Sequence, residues 1–231
     1  MITAVAHVDA GRPPAPLGLL VRDTRVVSCW SLTIDGRAAE PLAVQQAHAY
    51  AAAFKGRLRP PHDARSDAAM LIRRHRSIGD GTREEISIRS TVPLTATLAV
   101  MVTAAADLAD LFAVKAGGSR LAAASVAAKD SALTFTACQG DRRHGLLIRA
   151  DGSLEAAHRA LSRDGAVSSR GPWLITVQAV PARDGSPMTL HHPRGRPVEH
   201  ARAASGVPRG DGGPGRAANT PPGHGQLRGG S

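Results

Sequence analysis

Two carboxylates three residues apart, Asp107 and Asp110 in "ADLADLF" (106–112), have the spacing that comes nearest to acid/base chemistry. If 106–112 makes a short turn of helix, the two share one face. Acid/base cleavage across a sugar ring sets its carboxyl groups about 5–10 Å apart. Adjacent carboxylates on a short turn more commonly cap it. The knot Arg22-Asp23-Thr24-Arg25 joins two apolar runs in "GLLVRDTRVVSCWSLTIDGR" (18–37). It reads as an Asx-type turn or bulge, with Arg25 paired to a carboxylate inside the fold. The other reading places Asp23 and Arg25 at a domain interface or a substrate rim. Glu84 and Glu85 fall on opposite faces of a strand, solvent-facing or paired with neighbouring arginines. Arg73-Arg74-His75-Arg76 is the densest basic run, but a strand divides it between two faces. Nucleic-acid binding needs convergent positive charge and, for single strands, stacking aromatics. None of the three phenylalanines, one tyrosine and two tryptophans interleaves with that run. His191, His192 and His200 have no ordered ligand spacing. There is no G-x-G-x-x-G, P-loop, G-x-S-x-G or H-E-x-x-H. The expectation is therefore no catalytic residue, no metal and no cofactor. Asp23, Thr24, Arg25, Asp107 and Asp110 remain as motif or interface candidates.

The elements that must position these residues follow a period of two. "VVSCWSLTI" (26–34) aligns Val26, Ser28, Trp30, Leu32 and Ile34. "LTATLAVMVTA" (94–104) aligns Leu94, Ala96, Leu98, Val100 and Val102. "ALTFTAC" (132–138) and "WLITVQAV" (173–180) alternate in the same way. Alternation over five to eleven residues with β-branched side chains is a strand signal. Gly79-Asp80-Gly81, between "MLIRRHRSI" and "REEISIRS", reads as a hairpin turn in which glycine would supply positive φ. Asp35-Gly36, Asp151-Gly152 and Asp184-Gly185 punctuate other strand ends. Helical pattern is scarce: 106–112 could make one turn, and "SLEAAHRALSR" (153–163) is ambiguous. Many strands with frequent turns predict an all-β fold, an antiparallel β-sandwich of supersandwich type with little helix.

Composition sets further bounds. Of 231 residues 42% are apolar but only 3% aromatic, so alanine, valine and leucine must fill most of the core. The net charge of +10 is almost wholly arginine, with Lys55, Lys115 and Lys129 the lysines. The N-terminus lacks the basic region and sustained apolar stretch of a signal peptide. No run approaches the roughly 18 apolar residues of a membrane span. Cys29 and Cys138 lie far apart, which fits a reducing, cytoplasmic setting better than a disulfide scaffold. From 201 to 231 the alternation stops, and nine glycines and four prolines fall in 31 residues. Such a segment buries too little apolar surface to offset a backbone entropy of about 1–2 kcal/mol per residue. The expected organisation is a flexible 1–16, a sandwich over 17–200 and a disordered tail over 201–231.

"GLLVRDTRVVSCWSLTIDGRAAEPL" resembles the opening signature of the N-terminal domain of bacterial glycogen debranching proteins of the amylo-α-1,6-glucosidase type. "LIRRHRSIGDGTREEISIRS", "ADLADLFAVKAG" and "VQAVPARDGSPMTLHHPRGRPVEH" follow in the family's order. The D-T-R and A-D-x-A-D-L-F elements together are fairly specific, and the resemblance spans about 17 to 200. Ala113 stands where the family has an acidic residue, and Ser90 where it commonly has asparagine, which puts local polar contacts in question. The resemblance implies a non-catalytic β-sandwich that supports a helical toroid carrying the catalytic carboxylates. A helical glycosidase module and an α-glucan are then the implied partners, with no membrane, and nucleic acid is not among the partners the resemblance implies. Two other classes stay open: a standalone carbohydrate-binding sandwich using Trp30, Tyr50 or Trp173, although Trp30 and Trp173 lie in alternating strands and read more simply as core, and a basic polyanion or nucleic-acid binder. The end of the matching stretch near His200 reads as an N-terminal domain cut short, its tail an out-of-frame or degenerate remnant. Protease should then trim 201–231 without changing the melt of the remainder, whereas slow amide exchange in those residues would contradict that reading.

Overall fold

The structure is a computed structural model that describes residues 2–4, 18–59, 69–93, 95–116, 124–151 and 154–188. The expectations for 5–16 and for the 201–231 tail, and the three histidines 191, 192 and 200, lie outside them.

In chain order the strands are β1 (Ile2–Ala4), β2 (Leu19–Val21), β3 (Thr24–Val27), β4 (Cys29–Ile34), β5 (Glu40–His48), β6 (Ala51–Leu58), β7 (Met70–Ile78), β8 (Thr82–Ser90) and β9 (Ala96–Ala105). They continue with β10 (Ala109–Asp110), the short helix α1 (Leu111–Lys115), β11 (Ser125–Lys129), β12 (Ala132–Gln139), β13 (Arg142–Ala150), β14 (Glu155–Ala157), β15 (Ala160–Val167), β16 (Trp173–Arg183) and β17 (Ser186–Pro187). A nine-stranded sheet runs β11-β12-β13-β16-β8-β7-β6-β5, with β17 added to β16. Two four-stranded sheets accompany it, β14-β15-β9-β4 and β1-β2-β3-β10. The strand pairs are antiparallel. This is the all-β sandwich that the alternation predicts.

The core forms because the inward parity of the central strands is mainly apolar. Leu98, Val100, Val102 and Ala104 of β9 are buried, while Ala99 and Met101 between them are exposed. Ile86 and Ile88 of β8, Leu133 and Phe135 of β12, Leu146 and Ile148 of β13, and Ile175, Val177 and Ala179 of β16 join them in one cluster. Burying a Leu, Ile or Val side chain contributes about 1.5–3 kcal/mol, so these small aliphatics hold the layers together with few aromatic rings.

Three local expectations are corrected and one ambiguity is resolved. "VVSCWSLTI" is not one strand: β3 and β4 belong to different sheets, and the chain breaks at Ser28, whose N–H donates to the Ala105 carbonyl at 2.8 Å. All four residues of β3 are buried, because that strand leaves the sandwich's alternating surface. The 106–110 segment is not helical. Leu108 sits at φ 51, and a left-handed leucine cannot continue a right-handed turn; the helix begins only at Leu111. The ambiguous 153–163 segment resolves as the β14–β15 hairpin around His158 at φ 53. At 79–81 neither glycine needs positive φ, and the turn closes through the Gly79 N–H and the Gly81 carbonyl at 2.9 Å.

One close approach explains a glycine inside a strand. A Cβ at Gly165 of β15 would lie 2.5 Å from the Trp173 indole of β16. Gly165→Ala must displace that ring, and overpacking of this kind costs about 1–3 kcal/mol. A denaturant midpoint unchanged from the parent would show that Trp173 does not rest on the Gly165 backbone.

Candidate functional site

The Arg22-Asp23 pair is the two-residue connection of the β2–β3 hairpin. Both residues take positive φ, 48 and 65, as a type I′ turn requires. β3 then pairs with β10, Thr24 opposite Asp110 and Arg25 opposite Ala109. The Asp23 carbonyl accepts the Leu111 N–H at 2.8 Å. This register brings all five candidates, Asp23, Thr24, Arg25, Asp107 and Asp110, to one corner of the fold.

Their chemistry there is that of a clamp. The Arg25 Nε donates to both Asp107 carboxylate oxygens at 3.1 Å, and its Nη2 donates to Oδ2. The Arg25 side chain is 6% exposed and that of Asp107 19%. Gly18 lies against the Arg25 stem: a Cβ there would meet the Arg25 Cδ at 2.8 Å, and its φ of 142 suits glycine. Asp110 is the N-cap of α1, its Oδ1 accepting from the N–H groups of Phe112 at 2.8 Å and Ala113 at 2.9 Å. One carboxylate is bound to a guanidinium and the other caps a helix, which gives each a structural partner. At the second departure from the family pattern, the Ser90 Oγ donates to the Val92 carbonyl at 2.9 Å and accepts its N–H at 3.3 Å. Serine thus makes its own local turn where the family commonly has asparagine.

A second polar centre lies deeper. Glu84 shares the inward parity of Ile86 and Ile88 on β8 and is wholly buried. Arg76 stands directly opposite it on β7, and Arg74 lies diagonally across. Arg76 donates to Glu84 Oε2 through Nη2 at 2.9 Å and Nε at 3.3 Å, and the Arg74 Nε donates to Oε1. The Trp30 indole N–H, from β4 in a different sheet, donates to Oε2 at 2.6 Å. Burial by itself pushes the Glu84 carboxyl up, but the Arg76 and Arg74 charges, with their hydrogen bonds, hold it at about 2 instead of 4.5. The Arg76 guanidinium packs 5.9 Å from the Trp30 ring centroid and 5.6 Å from that of Phe54. Glu85, of opposite parity, is exposed and pairs with Arg83 at 2.9 Å. Beside Arg76 a cavity of about 270 Å³ is lined by Trp30, Val44, Gln46, Tyr50, Phe54 and others.

The sequence reading offered pairing of Glu84 with neighbouring arginines, which the structure shows, but not its burial or the Trp30 donor, although the signal for burial was present. Glu84 has the parity of Ile86 and Ile88, and Arg74 and Arg76 that of Ile72 and Ile78. The same parity turns half of the basic run inward, onto one carboxylate. Trp30 is buried and committed to Glu84, and Trp173 is half-buried against Gly165. Among the described residues no group of His, Cys, Asp or Glu is placed to hold a metal. No helix among them is long and apolar enough to cross a membrane.

The two stretches that carry the resemblance, D-T-R and A-D-x-A-D-L-F, are therefore halves of one structural corner, and the match to known families covers both. The family model for the N-terminal domain of (some) glycogen debranching enzymes matches residues 5–178. The chain belongs to that family. Against curated proteins the sequence has no significant match. Among solved structures, this debranching-enzyme domain is similar to a protein from the human microbiome provisionally named a kojibiose phosphorylase, at 8% identity and a TM-score of 0.47. The similarity covers 71% of this chain and 23% of that one, so the domain spans about a quarter of that protein's length.

Two outcomes test these centres. Arg25→Ala leaves Asp107 without its guanidinium and is expected to cost about 3 kcal/mol, whereas Asp23→Ala, exposed but held at φ 65, costs about 1. Equal losses in urea melts would contradict the clamp. For Glu84 the folded value is depressed, so its contribution is complete above about pH 4.5 and is lost as pH falls through about 2. The shift corresponds to about 3 kcal/mol. Stability of the parent should fall across that window, and Glu84→Gln should lack this slope; matching slopes would show that Glu84 is not ionised in the folded chain.

Proposed function

We propose that this debranching-enzyme N-terminal domain acts as the non-catalytic support of a helical glycosidase module, which docks on it and carries the reaction on an α-glucan. Family membership is the observation that carries this reading. The contacts of Asp107 and Asp110 agree with it, since one is bound by Arg25 and the other caps α1. Phe112, from the family's D-L-F element, is 79% exposed on α1, beside the Arg25 clamp. An exposed aromatic at the end of a rigid corner suits a contact with a neighbouring module.

The expected outcome is no turnover of an α-1,6-linked oligosaccharide by the purified chain. Turnover that disappears in Asp107→Asn or Asp110→Asn would make the domain an enzyme in its own right. For docking, Phe112→Ser should leave the melt within about 0.5 kcal/mol of the parent. It should weaken association with a separately supplied catalytic module by tenfold or more. Undiminished association would move the docking face elsewhere.

A further inference from the structure

The Glu84 centre is not electrically neutral. Arg74 and Arg76 bring two positive charges to one carboxylate, with Arg side chains only 12% and 14% exposed. The Arg74 Nη2 is buried and has no hydrogen-bond partner. Arg76 gives its Nε and Nη2 to Glu84, which uses one edge of a five-donor group. Its other edge, between Nη1 and Nη2, makes no hydrogen bond to the described residues. That edge is a fork suited to a second oxyanion. A half-buried positive charge in excess, beside a cavity, is costly until a counter-charge arrives.

We propose that the cavity beside Arg76 binds a small oxyanion, a carboxylate or a phosphate, carried on a compact ring or apolar body. Its volume of about 270 Å³ lies just below the usual 300–1,000 Å³ for small-molecule sites, which limits the ligand to about one ring. Arg76 supplies the charge-assisted hydrogen bonds. Gln46 and Thr82 on the lining add neutral polar groups, and Phe54, Tyr50 and Val44 supply the apolar walls. One negative charge, as a carboxylate carries, brings the cluster of two arginines and one glutamate to neutrality. Trp30 lines the same cavity, so its indole emission reports occupancy.

The test uses the full chain carrying Trp173→Phe, so that emission comes from Trp30. Sodium benzoate, its neutral isostere benzamide, and inorganic phosphate are titrated at constant ionic strength. Benzoate is expected to give a saturable change in emission and a raised melting temperature, with benzamide at least tenfold weaker. Phosphate alone giving that response would identify the oxyanion as a phosphate, and benzoate alone would identify a ring-borne carboxylate. Arg76→Met should weaken the response by about tenfold or more. Phe54→Leu, which leaves the charges untouched, should weaken benzoate more than phosphate. Equal responses to benzoate and benzamide with none to phosphate, or binding unchanged in Arg76→Met, overturn the proposal. If Arg76→Met does not fold, the comparison of benzoate with benzamide on the Trp173→Phe chain decides alone.

Discussion

A carboxylate with no contact to water stands where two sheets meet, and much of the sandwich is arranged to keep it ionised. Glu84 accepts from Arg76 and Arg74 within its own sheet and from the Trp30 indole across the layers. Leaving such a group unpaired in a low-dielectric core would cost several kcal/mol. Each partner is therefore constrained in turn. Trp30 must point across from β4, and the Arg76 guanidinium must lie against the Trp30 and Phe54 rings. In a chain with 3% aromatic residues, two of its six rings are used on this one arginine. The centre adds direction to a core whose alanine, valine and leucine contacts are non-directional.

A second, shallower clamp fixes the other corner. Arg25 and Asp107 are separated by 82 residues in sequence, yet the β3–β10 pairing brings them into register. Gly18 leaves room for the Arg25 stem, and the type I′ turn at Arg22-Asp23 sets the strand direction. Asp110 then starts α1 and presents Phe112 to solvent. The residues that identify a debranching-enzyme N-terminal domain thus hold one corner rigid. In the proposed support role, such a corner would order a docking contact with little further loss of entropy on binding.

The two centres divide the domain's polar chemistry. The Arg25 clamp lies at the corner that carries the family's signature, where Arg25 holds Asp107. The Glu84 centre holds one positive charge more than it neutralises, beside a cavity.

The sequence by itself determined the strands that alternate cleanly, such as 96–105 and 132–139, because a period of two with one apolar parity leaves a strand a single way to face the core. It also determined the family, through two motifs whose residue order survives in the chain, and the capping role of Asp110, which depends on neighbours two and three residues away. Only the tertiary structure decided the rest. It decided that 26–34 breaks at Ser28 into two sheets, since Val26 and Val27 are both buried only once a neighbouring sheet exists. It decided that Leu108 turns left-handed instead of starting a helix. It joined Arg25 to Asp107, and it placed the Trp30 indole on Glu84. Parity places Glu84 inward, but whether an inward carboxylate is tolerated depends on donors from a strand 54 residues away. Local pattern reads which face a side chain takes; the partner on that face is supplied by long-range packing, which leaves no local trace in the chain.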